Sequence, residues 1–233
     1  MNCILTIIKN EQFYLEEWIR YHCELGFDTL FIIEDIGSES HESITSKYDN
    51  VKLVKLSDTN DVHKDTQTHM LTEFYHNIIK KLDYKWCAMI DIDEFITGKS
   101  MSLFDEYDGE CIHMNWHNYG ANGLIEKPVY DRPIFDIYKK PCGDRNIDEC
   151  FGKTGKMCYN VRRYNKNISL HDSQNMLIQS NIFLRHYITK SWEEWKWKLN
   201  VRGMHNPGNR HISDFFIYNP GMKDLKPYLL SNI

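Results

Sequence analysis

Apolar residues recur along this chain in two rhythms. Short continuous or alternating runs, "CILTII" (3–8), "TLFIIED" (29–35), "VKLVKL" (51–56) and "YKWCAMIDID" (84–93), read as strands. Between them the apolar positions step by three and four. Leu15, Trp18, Ile19, His22 and Leu25 line one face of a helix in "YLEEWIRYHCELG", with Gly26 as its C-cap. Leu71, Phe74, Tyr75, Ile78, Ile79 and Leu82 make the stripe of a second helix in "DTQTHMLTEFYHNIIKKL", and "HESITSKY" suits a short one. The order β-α-β-(α)-β-α-β predicts a parallel sheet with right-handed crossovers. Ligands of such sheets bind beyond the carboxyl ends of the strands. Three polar clusters stand there: "KNE" (9–11), "ED" (34–35) and "DIDE" (91–94).

The second half is less regular. "ECIHMNWHNYGANG" reads as a strand entering a Gly-rich loop, and residues 126–160, with Pro128, Pro133 and Pro141, read as mostly loop or short irregular strands. "KMCYNVRRY" and "NIFLRHYIT" have strand character. "KSWEEWKWKLNVRG" is a helix with Ser191 as N-cap and Glu194 completing a capping box, and "HISDFFIYN" is a further helix. In the "KSWEEWKWKLNVRG" helix Trp192, Trp195 and Leu199 share a core face, with Trp197 off it. No repeat, low-complexity tract or linker interrupts the chain. The expected fold is therefore α/β, with a mostly parallel central sheet flanked by helices. It forms one domain over 1–233, with a nucleotide-type half (1–115) and a substrate half (116–233).

Composition narrows the function. A net charge of −5 argues against a dedicated nucleic-acid binder. Seven scattered cysteines give no disulfide framework, and the even spacing of Cys142, Cys150 and Cys158 lacks the pairing of a zinc site, so reduced thiols are expected. The opening "MNCILTIIKNE" is too short an apolar run for a signal peptide, and no later run approaches a membrane span, which points to a cytoplasmic protein.

The densest chemistry is in "MIDIDEFITG" (89–98). If the strand stays pleated, Asp91 and Asp93 face one way and Glu94 the other. Two aspartates at a strand's end make an oxygen platform for Mg²⁺ or Mn²⁺, which keeps sites open for phosphate oxygens and water. Such an ion would stabilise charge on a diphosphate leaving group. A solvated acidic turn would carry the same residues. A haloacid-type phosphatase wants the pair at the first strand and Thr or Val where Phe95 stands, and a nucleotidyltransferase wants a further carboxylate.

At this point several stretches resemble one family. "IIKNEQFYLEEWIRYHCELGFDTLFIIEDIGSES", "WCAMIDIDEFI", "WHNYGANG" and "LRHYITKSWEEWKWKLNVRG" are similar, in order, to motifs of the family 2-like glycosyltransferases akin to family 92. The tail "RHISDFFIYN" resembles the group's closing helix more loosely. The chain departs from the pattern at Ile36, Ser40, Ala121, Asn122 and Leu124.

The resemblance implies a GT-A-like fold and transfer of a sugar from a UDP-, GDP- or dTDP-linked donor to an acceptor hydroxyl of a glycan or glycoprotein, with Mn²⁺ or Mg²⁺. It implies that Asp93 binds the metal directly and that Asp91 contacts the metal, its water or the ribose. Asp35 would face the nucleoside, with Lys9, Asn10, Glu11 and Gln67 bordering the donor. His186 is the candidate third metal ligand, ahead of His171 and His117. Lys190 suits the diphosphate as a point charge. Trp116 and Tyr119, with Asn122 in the same loop, are candidates for the acceptor sugar. An inverting reaction needs a carboxylate to deprotonate the acceptor; Asp172, Glu126, Glu149 and Glu194 are the candidates, and Glu94 is expected to order the motif from behind. The rival from another class is a non-catalytic nucleotide- or glycan-binding module on the same scaffold.

Overall fold

A computed structural model describes residues 1–56, 67–97, 104, 107–142, 151–170, 179–200 and 211–231, with backbone alone at 151–153 and 179–181. The chain divides into two compact units: unit 1 takes residues 1–115 and 153–184, and unit 2 takes 116–152 and 185–233. The segment 153–184 thus returns to the unit that the first 115 residues build.

Unit 1 is laid down by the predicted alternation. Strands β1 (Asn2–Ile8), β2 (Thr29–Glu34), β3 (Val51–Lys55) and β4 (Trp86–Met89) are joined through helices α1 (Gln12–Leu25), α2 (Glu42–Thr45) and α3 (Gln67–Asn77). β1 pairs in parallel with β2 and β4, and β2 with β3. The central β1 is therefore buried on both faces, from Cys3 to Ile8. The outer β3 buries only Val51, as a strand paired on one side can. With β5 (Glu94–Ile96), β6 (Cys111–Asn118), β7 (Phe151–Asn160) and β8 (Gln179–His186) the sheet order is β3-β2-β1-β4-β7-β6-β8-β5. This is the α/β, mostly parallel sheet that the pattern predicts, with β7 running antiparallel to β4.

The α1 stripe is buried at each expected position, and Gly26 closes the helix in the left-handed region at φ +109°. α3 stops sooner than its stripe. Leu71, Tyr75 and Ile79 enter the core with Leu5, Ile7, Phe31 and Met89. The tighter 3₁₀ turn at Ile79–Lys81 breaks the phase, so Ile78 and Leu82 are exposed. Two strand boundaries also differ. β4 ends at Met89 rather than running through the aspartates, and β7 starts at Phe151, five residues ahead of the strand expected from Lys156, and ends at Asn160. Gly152 and Gly155 lie inside β7, and Pro128, Pro133 and Pro141 all precede it. Five of the six described cysteines (Cys3, Cys87, Cys111, Cys142 and Cys158) are buried and Cys23 is half-buried; all six are free thiols, as expected.

Unit 2 holds α4 (Ile134–Ile137), α5 (Trp192–Asn200), α6 (Phe215–Tyr218) and α7 (Lys226–Leu230). The apolar core of its helices is Ala121, Trp192, Trp195, Phe215, Phe216, Met222 and Leu229, with Leu199 packed against it. Trp192 and Trp195 are thus core residues, as their spacing predicts. Among the described residues no helix is long and apolar enough to cross a membrane.

Gly155 lets β7 lie against β6. A Cβ built there would stand 2.0 Å from the Met114 carbonyl oxygen. Backbone cannot yield as a side-chain tip can, so Gly155→Ala is expected to cost about 3 kcal/mol or more. A fall in the urea midpoint relative to wild type checks this.

Candidate active site

The acidic motif sits on a turn. Met89 lies beside Leu5 in the parallel register, three residues before β1 ends. After Ile90 the chain turns through Asp91–Asp93 and re-enters a strand at Glu94. The pleat argument therefore lapses at Met89, and Glu94 does not simply point away. It curls back: the Asp91 N–H donates to Glu94 Oε2 at 2.8 Å, and the Glu94 N–H donates to the Asp91 carbonyl at 3.1 Å. Glu94 orders the turn from behind, as expected, by closing it on itself.

The positive partner of these carboxylates is Lys156, which the sequence reading missed. Its ammonium lies 3.0 Å from Asp91 Oδ2, and its side chain is only 2% exposed. Gln67, at the start of α3, donates to Asp91 Oδ1 at 3.0 Å. Asp93 and Glu94 are buried, at 3% and 0% exposure, so one lysine faces three carboxylates. Their proton affinities follow from that count. Burial pushes the Asp91 carboxyl up, but the Lys156 charge and the bonds from Lys156 and Gln67 outweigh it and hold Asp91 below its usual range. Burial drives Glu94 well up, with Asp91 and Asp93 adding to the rise against Lys156. Burial alone would lower Lys156, yet the carboxylates raise it, so it stays charged.

The strand after the turn is gripped by α1. Trp18 Nε1 donates to the Glu94 carbonyl at 2.9 Å, and the Tyr21 hydroxyl donates to the Ile96 carbonyl at 2.7 Å. His22 Nδ1 donates to the Trp18 carbonyl, and its Nε2 accepts from the Ile96 N–H at 3.3 Å. Both ring nitrogens are thus used by a neutral imidazole, and burial lowers its pKa to about 3. Phe95 packs between the Tyr21 and His22 rings. The Glu-Trp…Tyr-His stretch of α1 is in this way a bracket for Asp-Ile-Asp-Glu-Phe.

The ends of β1 and β2 are also brought together. Lys9 Nζ lies 3.3 Å from Asp35 Oδ2. Asn10, at φ +53°, accepts from the Glu39 N–H and pins the following loop. Glu11 is buried: the Tyr14 hydroxyl donates to its carboxylate, and its own N–H donates to His41 Nε2. His41 Nδ1 in turn donates to Glu34 Oε2 at 2.9 Å. Lys9 and Asp35 are therefore the rim groups of this cluster, and Asn10 and Glu11 build the loop beneath them.

Four expected residues of unit 2 have defined settings. His186 is buried, its Nδ1 donates to Asn118 Oδ1 at 2.9 Å, and its ring packs 4.6 Å from Trp116. Tyr119 packs 5.2 Å from Tyr187. Asn122, at φ +53°, donates to the Gly120 carbonyl and accepts from the Lys140 N–H, so its amide is spent on a turn. Lys190 is buried and has left-handed backbone at φ +53° just before the N-cap.

The candidate bases fare differently. Glu194 Oε2 accepts from the Tyr138 hydroxyl (2.7 Å), Ser191 Oγ (2.9 Å) and the Ser191 N–H (3.2 Å), and Oε1 accepts from the Tyr130 hydroxyl. The Glu194 N–H returns a bond to Ser191 Oγ, so the expected capping box is present. With both oxygens engaged, Glu194 is an anchor for α5. Glu126 is exposed on the loop before α4. Asp172, Glu149 and His171 lie outside the described residues. Among the described residues no group of three or more His, Cys, Asp or Glu is arranged to hold a metal ion.

Lys156→Met strips the buried counter-charge. It is expected to destabilise by about 3 kcal/mol, the low end for a broken buried pair because a third of the Asp91 side chain meets solvent. Asp91 is held down in the folded state, so the stabilisation it shares with Lys156 is present above its usual carboxylate range and fades as pH falls through the lowered value. The gap between variant and wild type should accordingly narrow in acid. Glu94 has the opposite sign: its stabilisation is complete below the usual glutamate range and is lost as pH rises toward the elevated value. Glu94→Gln keeps an oxygen for the Asp91 N–H, so its urea midpoint should decline less than that of wild type as pH rises above the usual glutamate range.

Comparison with known proteins gives a consistent but partial picture. No family model matches the chain. A glycosyltransferase family 92 protein of Ricinus communis is 23% identical over 147 residues, 54% of this chain and 24% of that protein. One of Arabidopsis thaliana is 26% identical over 147 residues, with the same coverage. The chain therefore spans about a quarter of the length of these relatives. Among solved structures, S. aureus TarS 1-349 aligns with a TM-score of 0.44 at 13% identity, covering 69% of this chain and 47% of that one. The galactosyltransferase LgtC, solved with donor and acceptor sugar analogues, aligns with a TM-score of 0.34 at 12% identity, covering 69% and 58%.

Proposed function

We propose that this chain is a metal-dependent glycosyltransferase that moves a sugar from a nucleotide-sugar to an acceptor hydroxyl with inversion. The observation that carries the reading is the acidic turn at the end of β4, where one buried lysine faces three carboxylates. Asp91 and Asp93 bring carboxylate oxygens together at the end of β4, where the described Lys156 meets Asp91. A hard divalent cation is the natural complement of such an oxygen set. The names of the sequence relatives, glycosyltransferase family 92 proteins, support the same class.

The residues fit such an ion through oxygen. Asp91 receives one donor on each carboxylate oxygen, and each oxygen has a second lone pair. In this reading Asp93 is the direct ligand and Asp91 acts through water or the ribose, its position fixed by Lys156 and Gln67. Mn²⁺ or Mg²⁺, when bound, would neutralise charge on the departing nucleoside diphosphate. Lys9 and Asp35 would meet the nucleoside. Trp116 and Tyr119 would serve a glycan or glycoprotein acceptor, and Glu126 is the described candidate for its general base.

Release of nucleoside diphosphate from a panel of UDP-, GDP- and dTDP-sugars, with and without Mn²⁺, tests the reading. Turnover should require the metal, and Asp93→Ala should lower it at least about a hundredfold. Metal-independent release that survives this substitution would sink the proposal, and binding without turnover on any acceptor would favour a non-catalytic module. The anomeric configuration of the product, read by NMR, decides inversion.

A further inference from the structure

Arg185, on β8 beside His186, is a cation with no carboxylate partner among the described residues. It is half-buried, and no acidic group among the described residues pairs with it. Its Nε is buried without a hydrogen-bond partner. An arginine partly withdrawn from water is ordinarily paired. Two rings hold it instead: the guanidinium carbon lies 5.1 Å from the centre of Phe135 and 5.8 Å from that of Tyr119. Both rings lean on Tyr187, which is fully buried, at 6.0 and 5.2 Å. The aromatic faces thus orient the fork without consuming its donors. Nearby His117 adds no competing charge: burial, and then Arg185 itself, lowers its pKa to about 4.

We propose that Arg185 is an oxyanion receptor, its guanidinium steadied by Tyr119 and Phe135 to take a carboxylate or phosphate of a carbohydrate ligand. Planar, five-donor geometry suits a two-oxygen anion, and ring faces beside it suit a sugar. The source of the anion is either an acidic sugar of the acceptor or the diphosphate of the donor. That the ligand is a carbohydrate rests on the transferase reading above; the anion site does not.

Calorimetric binding separates these cases without any turnover. The probes are an oligosaccharide ending in glucuronate, its methyl ester, and UDP, each against wild type, Arg185→Gln and Arg185→Lys. An acidic acceptor predicts that Arg185→Gln weakens the glucuronate probe about tenfold or more, as loss of a charge-assisted bidentate pair does, and leaves the ester and UDP unchanged. Loss of UDP binding instead identifies the donor diphosphate. Arg185→Lys keeps the charge without the fork and should fall between. Unchanged affinity for both anions in Arg185→Gln, or no binding of either anion to wild type, overturns the proposal. Circular dichroism and melting temperature confirm folding; should Arg185→Gln fail to fold, Arg185→Lys decides, with loss of preference for glucuronate over its ester as the supporting result and retained preference as the overturning one. A protein that binds these anions through Arg185 but transfers no sugar would refute the transferase reading alone.

Discussion

The candidate site depends on one cation. Three carboxylates within four residues can be buried only beside positive charge, and Lys156 is the charge that the chain itself provides. It arrives by a long route. The antiparallel register of β7 on β4 sets Cys158 beside Ala88, and Lys156, two residues further along β7, comes alongside the acidic turn where β4 ends. The parallel strands of the first ninety residues carry no such lysine at that place. This explains why unit 1 is assembled from two separate pieces of sequence: 153–184 brings the counter-charge, and with it the last partner of β4.

A second constraint holds the turn from the other side. Lone strand ends are poorly ordered, and β5 is only three residues long. Its carbonyls and N–H are fixed by Trp18, Tyr21 and His22 of α1, each bond made from a buried or half-buried side chain. Each such bond contributes about 1 kcal/mol net, but the cost of leaving these buried backbone groups unmet is larger. The turn is therefore set between a charge delivered by β7 and a hydrogen-bonded bracket delivered by α1. An oxygen platform for a cation needs that kind of support if its ligands are to stay in place without a metal.

Local rules were legible where periodicity and burial agree. The four parallel strands, the α1 stripe, the Gly26 cap and the Ser191–Glu194 capping box all follow from short-range patterns, and all are present. Lys9 beside Asp35 follows from strand ends that meet at one edge, whereas Gln67, which meets Asp91, is marked only by the family resemblance. What sequence could not supply was long-range pairing. Lys156 stands in "GKMCYN", where a lysine amid apolar residues in a strand is the only hint that it turns inward. The pleat argument for Glu94 failed because a turn, invisible to alternation, begins two residues past Met89. Asn122 and Glu194 have residue types suited to a ligand or a base, yet tertiary hydrogen bonds spend them on a turn and a helix anchor.

Counting satisfied charges sorts the remaining polar groups more sharply than residue type does. Glu194 receives four donors, two of them tyrosine hydroxyls, so both of its oxygens are already engaged in holding α5. Removing it from the list of bases leaves Glu126 among the described residues, an exposed side chain whose competence would depend on what the acceptor covers. Arg185 is the converse case, a cation oriented by rings and paired with nothing acidic among the described residues. Among the described residues, unit 1 thus gathers three carboxylates round Lys156, and unit 2 holds a half-buried arginine that pairs with no acidic group. Under the two proposals above a ligand completes each group, and the chemistry of each names its complement: a hard cation for the aspartates, a planar oxyanion for the arginine.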